Sequence, residues 1–389
     1  MAPINALPFI VWVVAVSTIV ACVGGASFFG YNIAGYAWVV PLLFSFASFL
    51  KRKGPICFPY KIWLPWVCVV TGYLILSEEP NALQRSIMMI CPLWIGMTVS
   101  KYDIGEDGFN GLSELYKYMA MALFIVVILK TGMLLTGALP EITGLAPEVM
   151  TSSLLCTLFA ASYAQGEKKA LSWWVALAAI PVVALTRMGI LASGASLPLT
   201  FAPMKIGRRL ALLGVIIAMA ISIFYSERVQ NKMFFSGEGL LSEIHWDNPN
   251  FRNTGRKFIW DAMSFQIDRQ PWFGYGANSS EHFVSALTGG LTHPHNDWLR
   301  LRFDYGYFGT VTFGLCLIIQ ILHILRRTRT SLGHTRTMFY AGASSFIVFI
   351  LFMFTDNIIL YAAFFGNFQF TLLGLAYAAD KSPRQKDSA

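Results

Sequence analysis

A chain of 389 residues with 56% hydrophobic and only 13% charged residues departs from a soluble domain, in which about a quarter of residues are charged. That composition excludes a disordered chain and points to lipid as the main solvent. The net charge of +8 sits in short clusters between apolar runs, so it reads as membrane topology and not as a nucleic-acid surface.

Apolar runs close to the roughly twenty residues that a helix needs to cross a bilayer recur along the chain. They predict spans at 7–29, 32–50, 60–76, 82–99, 115–136, 149–164, 171–186, 188–204, 209–225, 306–325, 338–355 and 358–379. The first has no basic segment before it and reads as an uncleaved span, not a removed signal peptide. With a cytoplasmic N-terminus, the basic clusters at 51–53, 168–169, 205–209, 326–336 and 381–386 all fall inside. The same alternation puts 77–81, 137–148, residue 187, 226–305 and 356–357 outside. The expected fold is an all-α integral membrane protein of about twelve transmembrane helices. Its parts are an N-terminal bundle over 1–225, one large external loop over 226–305, and C-terminal spans with a short tail over 306–389. Six cysteines lie in or beside apolar runs with no CxxC, so no disulfide framework is implied.

A loop of that length is usually functional. Thr254 is placed to cap a helix running to about Arg269, with Phe258, Ala262 and Phe265 on one face to rest on the membrane or on the bundle. Residues 271–276 form a turn. Ser279 and Ser280 open a second short helix, and Thr292 and Pro294 signal a third that leads into the tenth span.

The run 293–300 holds the residues most suited to chemistry. His295 is expected in the first turn of a helix, where the dipole disfavours imidazolium and leaves a neutral ring able to act as a general base. The alternative is a histidine that merely caps a loop. His293, His295 and Asp297 also suggest a metal site, but the pair lacks the cysteines or carboxylates that would complete a shell, so no metal is expected. His293 precedes Pro294, which favours extended backbone and a ring turned away from that of His295. Arg187 interrupts an apolar stretch, where arginine is costly and needs a partner, unless it snorkels to the interface. Arg256 stands near the start of the loop helix, and guanidinium forks suit phosphate oxygens. Lys130 reads as a snorkelling lysine. Trp246, Trp260, Trp272, Trp298 and Tyr275 offer flat faces for sugar rings or for the lipid interface.

Four segments in fixed order, GRKFIW (255–260), PWFGYG (271–276), HPHNDWLRL (293–301) and FDYGYFGTVTFG (303–314), resemble the signature of the O-antigen ligase and polymerase family. Thr186-Arg187-Met188-Gly189 fits as well, with Thr186 where the family more usually has serine. The resemblance implies a fold like the GT-C glycosyltransferases. It also implies inverting, metal-independent transfer of a glycan from an undecaprenyl-diphosphate-linked donor to an acceptor sugar, on the periplasmic face of the bacterial inner membrane, without a cofactor. By the same resemblance His295 is the catalytic base and Arg187 and Arg256 contact the diphosphate. Asn296 and Asp304 match motif positions and join Trp260 and Tyr275 as expected substrate-binding residues. The first external connector, 25–31, holds no Asp or Glu, so base work must come from elsewhere. The implied partners are the lipid-linked donor, an acceptor glycan lipid (a lipid-linked repeat unit or lipid A–core), membrane lipids and a chain-length regulator protein. Polymerase of a surface polysaccharide is the first reading, ligase to lipid A–core the second, and protein glycosylation a third branch. A transporter or flippase is the alternative of another class; it would place ionisable groups near the bilayer midplane.

Overall fold

The computed structural model describes residues 7–24, 27–28, 31–136, 144–252 and 255–381. Residues 25, 26, 29 and 30 of the first connector, 137–143 of another, the proposed cap Thr254, and 382–386 of the last basic cluster lie outside the described residues. The chain runs through α1 (Phe9–Val23), a two-residue hairpin of β1 (Ser27–Phe28) and β2 (Tyr31–Asn32), α2 (Ile33–Tyr36), α3 (Val39–Lys51), α4 (Leu64–Leu76), α5 (Ala82–Val99) and α6 (Glu106–Leu135). Then follow α7 (Ala146–Ala164), α8 (Ala170–Val183), α9 (Arg187–Ser196), α10 (Ile206–Phe224), α11 (Glu227–Met233), α12 (Arg256–Ile267), α13 (Ser279–Thr288), α14 (Asp297–Thr328), α15 (Gly333–Met353) and α16 (Asn367–Lys381). Each of the twelve expected apolar segments overlaps a helix. Among the described residues, six helices are long and apolar enough to cross a membrane.

Of the other expected spans, α1, α3, α4 and α8 are apolar but shorter, whereas α7 is long enough and less apolar. α7 is enclosed nearly all round and carries Ser152, Ser153 and Thr157, which touch other helices and not lipid. Small and hydroxyl-bearing residues let helices approach closely where lipid offers no hydrophobic drive for association. Ser153 and Ser193 share a hydrogen bond of 2.8 Å that joins α7 to α9. α10 is the opposite case: its apolar length is almost wholly exposed. Lys130 on α6 does not snorkel. It is buried and paired with the buried Glu148 of α7 at 2.5 Å, because a lysine held inside the bundle needs a counter-charge more than a route to water.

Between α15 and α16 the chain breaks into a 3₁₀ turn, Ile358–Leu360, and a π-helical turn, Ala362–Gly366. Broken helix leaves carbonyls without partners, and here side chains supply them. Thr18 donates to Ala363 O at 3.1 Å and Thr151 to Phe364 O at 2.8 Å. Asp297 accepts from the Ile359 amide at 2.9 Å and so ties this segment to the start of α14.

The loop region packs on one end of the bundle through two small cores. Ile259, Met263 and Ile267 of α12 meet Val284, Leu299 and Phe303; Met233, Phe234 and Phe251 meet Phe224 and Val229. The face of α12 that packs is therefore the isoleucine–methionine face, while Phe258 and Phe265 point outward. The third loop helix is not separate: α14 runs from Asp297 through the tenth expected span, broken only at Gly306, whose φ of 63° lies in the left-handed region. The break frees groups that the 271–276 turn then pairs. Tyr275 N donates to Phe303 O, Gly276 N to Asp304 O, Tyr307 N to Pro271 O and Phe308 N to Trp272 O, all between 2.8 and 3.0 Å. A side chain at Gly274 or Gly306 would collide with the facing backbone, which is why the two glycine-bearing segments occur together.

Candidate functional site

α12 begins at Arg256 after Gly255 in a left-handed conformation, φ 75°. That start aims the Arg256 guanidinium at the connector after α15, where Nη1 donates to Thr355 O at 2.9 Å. The next residue in that connector, Asp356, places Oδ1 3.4 Å from His295 Nδ1. Asn357 Nδ2 lies 3.3 Å from the same nitrogen, and the Tyr361 hydroxyl donates to Asp356 Oδ1 at 3.0 Å. His295 is not in the first turn of the helix, because Asn296 takes the cap position and accepts from Leu299 N at 3.0 Å. His295 precedes that cap with φ 51°, a conformation uncommon outside glycine and more frequent at functional sites. Paired with the carboxylate, Nδ1 carries the proton and Nε2 keeps a lone pair; paired with the Asn357 amide, which only donates, Nδ1 is the acceptor.

Arg187 reaches the same end of the bundle by a different route. α8 ends after Pro181, Leu185 turns through φ 50°, and Arg187 opens α9. Its Nη2 points at Arg252 O, 3.5 Å away, and Cζ sits 5.2 Å over the Phe251 ring. Burial disfavours the Arg187 charge, and the neighbouring Arg256 charge adds to that. Burial likewise lowers Arg256, opposed by Asp356 and Tyr361. The two arginines are thus electrostatic neighbours, although 69 positions separate them in the chain. Among the described residues neither guanidinium has a carboxylate within ion-pair distance; both donate to backbone carbonyls, and the Asp356 charge acts on Arg256 from farther off.

Next to this open site lies a closed one. Glu281 Oε1 is 2.8 Å from Arg85 Nε, 2.8 Å from Arg300 Nη2 and 3.2 Å from His293 Nδ1. Glu281 and Arg300 are buried, Arg85 and His293 partly so, and the cluster binds α5, α13, α14 and the 293 turn together. Burial pushes the Glu281 carboxyl up, but the His293 bond and the Arg300 and Arg85 charges outweigh it and hold the group at about 2. The two histidines of the HxH pair therefore serve different partners. Among the described residues no group of three or more His, Cys, Asp or Glu is arranged to hold a metal ion.

The remaining expected substrate contacts divide. Trp260 donates from Nε1 to Pro294 O at 2.7 Å, beside His295, and its ring lies 4.8 Å from that of Trp246. Trp246 lies in turn 6.1 Å from Phe251, so aromatic rings line the way from Arg187 to His295. Asp304 does not face a site: it is buried and accepts from Ser280 N and Oγ at 2.7 and 3.1 Å, a brace for α13. Asn296 is spent on its cap. Tyr275 bonds Gln266 O at 2.8 Å and packs on Phe303, away from the His295 contacts. Asp356 is the residue that sequence reasoning missed. An aspartate and asparagine between two apolar runs is the kind of costly polar insertion that marked Arg187.

Residues 173–314 match the family model described as O-antigen ligase. The match takes in Arg187, Arg256 and His295 and ends before Asp356. No curated protein matches the chain.

Proposed function

We propose that the chain, whose residues 173–314 match the family model described as O-antigen ligase, belongs to the O-antigen ligase and polymerase family and transfers a glycan from an undecaprenyl-diphosphate-linked donor to an acceptor sugar. The setting of this reading is a GT-C-like bundle of about twelve spans in the bacterial inner membrane, with the site facing the periplasm. The observation that carries it is the meeting of His295 and Asp356, 3.4 Å apart, beside two arginines that, among the described residues, have no carboxylate within ion-pair distance.

The chemistry follows from those groups. The donor's leaving group is a lipid diphosphate, so the first need is positive charge where the anion forms; preorganised donors of this kind are often the largest catalytic contribution. Arg187 and Arg256 supply it. His295 Nε2 takes the proton of the acceptor hydroxyl while its oxygen attacks the anomeric carbon. The bond from that carbon to the diphosphate oxygen breaks, its electron pair stays on the diphosphate, and attack from the opposite face inverts the centre. Asp356 is a positioning residue that fixes the ring and steadies it once protonated. The Trp246–Trp260 wall gives the sugars a stacking surface.

Polymerisation of a surface polysaccharide is the first reading, with a chain-length regulator as partner. The matched family's description favours the second, ligation to lipid A–core. The cations gather at the loop end and not midway along the spans, which speaks for an enzyme over a flippase. The test is an in vitro assay that offers lipid-linked repeat units alone and then with lipid A–core. Extension without core supports the polymerase; transfer only with core supports the ligase; no glycosidic product from either, with chelators absent, defeats the proposal.

A further inference from the structure

We propose that Lys232 is a third cation of the diphosphate site, held by the loop against the turn that carries Arg187. The inference rests on the diphosphate reading above and adds to it a residue outside the recognised motifs. Lys232 Nζ donates to Leu185 O at 2.8 Å, two residues before Arg187. The neighbouring Met233 carbonyl accepts from Arg252 N at 2.8 Å, and the Arg252 carbonyl faces Arg187 Nη2 at 3.5 Å. These three contacts close a small ring, so Lys232 and Arg187 sit on adjacent sides of one turn.

Charge accounting points the same way. Among the described residues Lys232 has no acidic partner within ion-pair distance, and neither do Arg187, Arg252 or Arg256. Burial lowers the affinity of Lys232 for its proton, and the Arg187 charge lowers it further. Lys232 and Arg187 are exposed and Arg252 and Arg256 half-buried, so these cations face solvent around one turn and are open to an anion from outside. An ammonium has three donors; one is spent on Leu185, which leaves two for phosphate oxygens. The reaction also raises the demand. A diphosphate esterified at both ends becomes, on transfer, a monoester with a further ionisable oxygen, so a third cation serves the departing group more than the bound donor.

The experiment uses the purified full chain in lipid nanodiscs. Binding of undecaprenyl diphosphate and of undecaprenyl monophosphate is measured alongside donor KM and kcat for Lys232→Met, Lys232→Gln and Lys232→Arg. Glutamine keeps a donor for Leu185 O and removes the charge, which separates the electrostatic role from that of a clamp. We expect Lys232→Gln and Lys232→Met to weaken undecaprenyl diphosphate by about tenfold or more, the worth of one charge-assisted bond. The monophosphate should lose much less, and Lys232→Arg should stay near wild type. Diphosphate binding by Lys232→Gln equal to wild type makes the residue a clamp and overturns the inference. Arg187→Lys and Arg256→Lys tell the levels apart. If they lose diphosphate affinity while Lys232→Gln does not, only this inference falls. If they too bind normally, the diphosphate reading falls and takes Lys232 with it.

Discussion

Two charged clusters lie side by side at the loop end, entered by histidines two residues apart. Around His293 both guanidiniums, Arg85 and Arg300, meet the buried carboxylate of Glu281. Around His295 the cations Arg187 and Arg256 lean on backbone carbonyls, the ring sits at φ 51°, and its contact to Asp356 is long at 3.4 Å. Satisfied charge holds a fold together, whereas charge that the protein leaves unsatisfied waits for something the chain does not contain. The same sequence run thus feeds a brace and the proposed catalytic site, and composition alone does not separate them.

The sharpest way to break that distinction is to exchange the histidines' fates. His295→Ala should lower glycan transfer by about 10²–10⁴, the usual worth of a general base, with unchanged thermal unfolding. His293→Ala should keep substantial transfer. Equal losses, rescued by a divalent metal, would merge the two clusters into one ligand set. Arg300→Ala tests the brace: it strips one partner from a buried ion cluster and should cost about 3–5 kcal/mol of stability, read as lost expression and early unfolding in detergent. A stable, inactive Arg300→Ala protein would move the residue into the reactive site. Arg256→Lys keeps charge and loses the fork, so transfer should fall on the order of 10² while unfolding stays put. Near-normal turnover would reduce Arg256 to a surface charge.

Hydropathy exposed the helices because spacing of apolar runs is local information. It also overlooked the buried pairing of Lys130, since Glu148 is eighteen positions away on the next helix and charge partners are set by packing. The arginines and His295 were legible as costly residues in apolar or turn-rich surroundings. Asp356 was not, although it completes the site, because a two-residue polar connector between spans reads as a mere crossing until the loop is seen to fold over it. Asp304 erred in the other direction. It sits in a motif, yet its carboxylate caps Ser280, and only the course of α13 reveals that. The capping strength of Asn296 likewise moved His295 out of the helix.

The smallest expected effect concerns acid. Burial lowers the His293 imidazole below its ordinary value; Glu281 opposes this, while Arg300 and Arg85 reinforce it. A base that binds its proton more weakly when folded gives stability that is complete above the unfolded value of 6.5 and declines as pH falls through it. Glu281, held at about 2 against an ordinary 4.5, gives stability that is complete above 4.5 and lost only as pH falls toward 2. Both point the same way, but their windows differ: His293 acts first on acidification and Glu281 well below it. Replacing His293 with Gln removes the titrating ring and leaves Glu281 in place. Between about pH 7 and 5 the variant should then lose less thermal stability than wild type, by on the order of a few degrees. Below pH 4.5 both proteins should decline, the variant no later than wild type, because the His293 bond helps to hold the Glu281 carboxyl down. An identical decline in both proteins above pH 5 would show that His293 contributes no proton to unfolding and that the brace rests on Glu281 and the arginines alone.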